Sequence, residues 1–155
     1  MNAPPNSSHA FLAIFWGGLA CGVFDITQAF IAWGLMGIKP VAILRHIASG
    51  VLGPRAYQGG AGTAGLGLAL HFVIAFGAAT VYYMASRWIP FMTEHAVMSG
   101  LLYGECVFLF MYFVVVPLSA AVKSPFTVAT LVTGPIGHTL LVGLPIALAV
   151  RHYSR

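Results

Sequence analysis

Charge is what this chain has least of. Only 6% of its 155 residues are Asp, Glu, Lys or Arg, and three are acidic. Soluble domains carry about 25% charged residues, so this sequence cannot cover a water-facing surface. No lysine or arginine occurs between residues 1 and 38, which leaves the first apolar stretch without the basic n-region of a removable signal peptide. That stretch reads as a retained membrane span. Cysteine is also sparse: Cys21 and Cys106 both lie within apolar stretches, carry no information about disulfides or redox compartment, and read as small fillers. Motifs of enzyme chemistry are missing too, with no G-x-S-x-G, Walker loop, C-x-x-C or H-E-x-x-H. "GGAGTAGLG" formally contains G-x-G-x-x-G, but no strand precedes it and an apolar span follows, so its glycines are for packing. The expectation is a non-enzymatic protein.

What the chain has in abundance is apolar length. It is 59% hydrophobic, with a mean hydropathy of +0.91. Four stretches, roughly residues 10–36, 62–86, 95–119 and 127–150, each reach the ~20 residues that a helix needs to cross ~30 Å of hydrocarbon. Backbone groups in lipid must satisfy one another, so the choice lies between helices and a closed barrel. Barrel strands alternate apolar and polar residues, and these runs do not. The expected fold is all-α: a transmembrane four-helix bundle forming one integral membrane domain over residues 1–155, with the lipid bilayer as its principal partner. The net charge of +4 comes from basic residues scattered at span ends, where they anchor helices and meet anionic headgroups. Nucleic acid is not an expected partner. Basic residues divide three against four between the two sides, so orientation is not determined by them.

Between the first two spans, "KPVAILRHIASGVLGPRAY" predicts a short interfacial amphipathic helix at about 40–53, with Pro40 in the first turn. Val41, Leu44, Ile47, Ala48, Val51 and Leu52 form its expected apolar face. Arg45, His46 and Ser49 form the other, and Arg45, His46 and Arg55 are the expected lipid-headgroup contacts.

Each span carries one ionisable residue near its middle: Asp25, His71, Glu105 and His138. At ~1.5 Å per residue all four fall within about 5 Å of the span midpoints. A charge there costs ~2.5–3.5 kcal/mol on insertion scales, so such residues usually face the bundle interior and mark function. Asp25 shares a helical face with Gly18, Cys21, Gly22 and Gln28, and His71 with Ala64, Gly67, Ala75 and Ala78. Both are stripes of the kind that packs inward. His138 follows "TGPIG", where Pro135 removes a helical hydrogen bond. Asp25, His71 and His138 are therefore the candidate ligand or proton site. Glu105, among large neighbours, is a second-tier candidate, as is Cys21, one turn from Asp25. Two histidines and a carboxylate suit a zinc or iron ion, two histidines could hold a haem, and the same groups could relay a proton. Opposed to all three is a bland alternative: an accessory or assembly subunit of a larger membrane complex, or a homo-oligomer, in which these side chains only fix helix packing.

Through "LRHIASGVLG", "QGGAGTAGLGLALHF", "VVVPLS" and "GHTLLVGLPIAL" the chain resembles a widespread group of small four-span bacterial inner-membrane proteins of uncharacterised activity, loosely YagU-like. The resemblance covers nearly the whole chain. It implies a multi-pass protein of the bacterial cytoplasmic (inner) membrane, with Asp25, His71 and His138 at matching positions and no acid matching Glu105. It implies no activity.

Overall fold

The computed structural model describes residues 7–123 and 128–154, and within them every regular element is helical. Four helices are long and apolar enough to cross a membrane: span one (Ser7–Gly34), span two (Ala61–Ser86), span three (Ala96–Leu118) and span four (Thr133–Tyr153, within a helix that starts at Val128). The expected all-α architecture is present. Large apolar side chains face outward from every span, among them Phe11, Val73, Leu102 and Leu140. Exposed apolar surface on that scale is foreign to a water-soluble monomer and fits a hydrocarbon solvent.

Backbone chemistry sets the ends and bends. Span one stops before Gly37, whose φ of 82° turns the chain through the left-handed region open to glycine. Lys39 is extended, and Pro40 opens the connecting helix, Pro40–Leu52. Spans three and four each contain a widened π-helical turn, Met111–Val115 and His138–Gly143, shortly before Pro117 and Pro145. A proline ring crowds the carbonyl four residues earlier, and an extra residue in the turn relieves that clash.

Lipid provides no hydrophobic drive between helices, so close backbone approach holds the bundle together. Span three lies against span four through Gly100, Gly104 and Gly143: a Cβ on Gly104 would overlap the His138 carbonyl, and one on Gly143 would overlap that of Gly100. Span one packs between spans two and four, with Gly17 3.4 Å from Ile146 Cα (as a Cβ would measure it) and Gly22 beneath Phe72. These contacts run antiparallel and bring Ser7 and Tyr153 to the same end of the bundle. That end is solid, built on Ala13, Ala79, Tyr82, Ile146, Ala147 and Val150. Tyr82 donates its hydroxyl to the Met92 carbonyl, and Tyr103 donates to that of Ala78.

The opposite half is more open, and the connecting helix fills it. This helix packs along span two, where the Leu44 carbonyl occupies the space a Cβ on Gly67 would need. It also ties to the chain after span three: Ala120 N–H donates to the Gly50 carbonyl (3.0 Å), and Val122 N–H to Ser49 Oγ (3.4 Å). Its facing agrees with the expected apolar side at Val41 and Val51 and departs from the expectation at Ala48 and Ser49. Ala48 and Ser49 are fully buried, whereas Val51 is 63% exposed and Val41 46%. Ala48, Ser49 and Ile47 turn inward, while Val41, Val51 and Leu52 point out. Small residues allow backbones to approach, and in lipid an outward valine costs nothing.

Candidate functional site

Asp25, His71 and His138 come together, lining one cavity of about 200 Å³ in the open half of the bundle. Span one supplies Cys21 and Asp25, span two His71 and Ile74, span three Val107 and Met111, and span four His138 and Val142. The connecting helix contributes Ile47 to its wall.

The His71 imidazole bridges spans one and two. Its Nε2 lies 2.8 Å from the Gly22 carbonyl, an acceptor only, so Nε2 must carry a hydrogen and donate it. The other ring nitrogen, Nδ1, stands 4.0 Å from Asp25 Oδ2, both side chains being largely buried (12% and 22% exposed). The ring is held on edge by Phe72, at a centroid separation of 5.5 Å and 82°. Span-one geometry makes this arrangement possible: a helical carbonyl has a second lone pair, and Gly22, without a side chain, leaves it accessible.

His138 is fixed by the same device with the opposite nitrogen. Its Nδ1 lies 3.0 Å from the Gly134 carbonyl one turn earlier, so Nδ1 donates and Nε2 keeps its lone pair. Phe108 packs edge-on against the ring (5.5 Å, 64°). His138 opens the π-helical turn of span four, a type of local widening that recurs at functional sites.

The second-tier residues separate. Cys21 is buried and lines the cavity. Glu105 is not among the lining residues; it accepts a long hydrogen bond from Thr139 Oγ1 (3.4 Å) and lies along the span three–span four contact. Among the described residues, no three His, Cys, Asp or Glu side chains are grouped closely enough to hold a metal ion. The cavity, about 200 Å³, is below the ~300–1,000 Å³ typical of sites for drug-sized ligands.

On the connecting helix, His46 Nδ1 and the Tyr57 hydroxyl share a 2.7 Å hydrogen bond. Burial pushes the His46 imidazole below its ordinary 6.5. Arg45 is half-buried, and its Nε is enclosed without a hydrogen-bond partner; Arg55 is exposed. Sequence reasoning missed Ile47 and Met111 as cavity walls. Ile47 was assigned to a lipid-facing side, and the only signal pointing elsewhere was Gly67, a small residue on span two with no evident neighbour to accommodate.

Compared with known proteins, the chain matches no family model, no curated protein and no solved structure.

Proposed function

We propose that this multi-pass membrane protein holds an exchangeable proton at a half-buried Asp25–His71 pair, with His138 as a second acceptor on the same cavity. One observation carries the reading: His71 spends its Nε2 hydrogen on Gly22, so Nδ1 faces a carboxylate 4.0 Å away. With no hydrogen on either, two lone-pair groups would face each other across the cavity wall. One proton removes that conflict, either as imidazolium with carboxylate or as imidazole with carboxylic acid. A carboxylate facing an imidazole across two spans is the arrangement a proton relay or proton-coupled carrier uses. The resemblance to small four-span bacterial proteins favours the bacterial cytoplasmic membrane as its location.

A second reading has an observation in its favour. The His71–Gly22 bond is itself an interhelical clamp, as an accessory subunit or homo-oligomer built only to assemble would need. Asp25→Asn in the full-length protein distinguishes the two. In the proton reading, the variant folds, and infrared difference spectra between low and high pH lose a carboxyl band present in the wild type. If that band is absent from the wild type, or survives the substitution, the pair holds no exchangeable proton and the packing reading stands.

A further inference from the structure

Resting on that proton reading, we infer that the cavity binds a short-chain primary alkylammonium ion in exchange for the shared proton. Hydrogen-bond chemistry leads to the ligand class. The Gly22 and Gly134 carbonyls consume one N–H from each histidine, so what His71 and His138 can offer the cavity is a lone pair each, at Nδ1 and Nε2. Asp25 adds carboxylate oxygens, which only accept. The remaining ionisable group on the wall is Cys21, whose S–H is a weak donor. Arg45, the nearest cationic side chain on the connecting helix by sequence, is not among the lining residues.

A pocket of three acceptors and one negative charge calls for a cation rich in donors. An R–NH3+ group has three N–H bonds: two suit Asp25 and His71, whose facing atoms stand 4.0 Å apart, and the third is directed into the cavity that His138 also lines. A quaternary ammonium of the same charge has none. The rest of the wall fixes the tail: Ile74, Val107, Met111 and Val142 are apolar and match a short alkyl chain. A cavity of about 200 Å³, below the ~300–1,000 Å³ of sites for drug-sized ligands, suits a short chain. Charge balances in the exchange: R–NH3+ enters, the proton shared by Asp25 and His71 leaves to solvent, and the net charge of the site is unchanged.

The test uses the full-length detergent-purified protein with butylammonium, tetramethylammonium and butanol as probes. Butylammonium is expected to raise the thermal midpoint in a concentration-dependent way and to release about one proton per cation bound, read with a pH indicator in weak buffer. Neither tetramethylammonium nor butanol should do either. Asp25→Asn should abolish both effects, and His138→Gln should weaken butylammonium binding by roughly tenfold or more, as expected for loss of one hydrogen bond to a charged group. The His138 variant carries the test if Asp25→Asn does not fold. Equal stabilisation by tetramethylammonium, or butylammonium binding without proton release, overturns the inference. So does an absence of any response while the Asp25-dependent infrared band persists, an outcome that leaves the proton reading intact. Loss of that band in the wild type fails the proton reading itself.

Discussion

His71 Nδ1 and Asp25 Oδ2 stand 4.0 Å apart across the span one–span two contact, while His71 Nε2 is anchored on the Gly22 carbonyl at 2.8 Å. The two nitrogens of one ring therefore have different duties. Nε2 clamps two helices, and Nδ1 faces the site. Substitutions should separate them. His71→Ala removes the clamp and should lower stability by about 1 kcal/mol, the usual contribution of such a bond in membranes. Asp25→Asn keeps a polar group of the same shape and should cost less. Thermal midpoints of the two purified variants, measured side by side, check the order; an Asp25→Asn variant less stable than His71→Ala would mean that the carboxylate itself holds the helices.

The contact between spans three and four should be the least tolerant in the bundle. Gly104 meets the His138 backbone, and Gly143 meets that of Gly100, so no flexible side chain can yield. Gly104→Leu must separate the helices and should cost about 3 kcal/mol, the upper end of ordinary overpacking. Gly77→Leu, where a Cβ meets nothing within 4 Å, should be nearly neutral. Comparing the folded fractions of the two variants after detergent extraction checks this. Because the Gly104 contact lies at His138, its loss should also disturb the cavity.

Much of this arrangement can be read in the sequence because a membrane imposes strong rules. Twenty apolar residues fix a span, and a mid-span ionisable residue on a small-residue stripe must look inward; Asp25, His71 and His138 obeyed both. Glu105 lacked such a stripe, and it lies outside the cavity. What the sequence did not convey was which part of the connecting helix packs inward. Val41 and Val51 follow the apolar pattern outward, but Ile47, Ala48 and Ser49 turn in, because Gly67 lets the helix backbone lie against span two. The division of labour between ring nitrogens was also hidden, because it depends on which glycine carbonyl lies within reach, a matter of register between helices.

His46 gives the connecting helix a pH dependence. Burial holds its folded-state pKa below the ordinary 6.5, so the folded protein resists protonation more than the unfolded chain. The neutral ring's contribution is complete above pH 6.5 and is lost as pH falls through the lower folded value. Wild type should therefore lose thermal stability relative to His46→Gln as pH decreases from 7.5 to 5. A constant difference between the two proteins over that range would show that His46 titrates normally.

The connecting helix borders the cavity through Ile47, and substitution at Gly67 tests whether it controls access. The Leu44 carbonyl sits where a Gly67 side chain would be, and Ile47, one turn further along, forms part of the cavity wall. Gly67→Val must push the helix away from span two, because the obstacle is backbone and cannot rotate aside. Gly65, two residues earlier on the same span, has open space around its Cβ position, so Gly65→Val adds the same bulk without the push. With Cys21 and Cys106 replaced by alanine, an Ile47→Cys probe reports the outcome through its rate of labelling by a small water-soluble thiol reagent. Gly67→Val should raise that rate several-fold, and Gly65→Val should leave it unchanged. Equal rates in all three backgrounds would mean that Ile47 is reached by another route, and that the connecting helix supports the cavity without closing it.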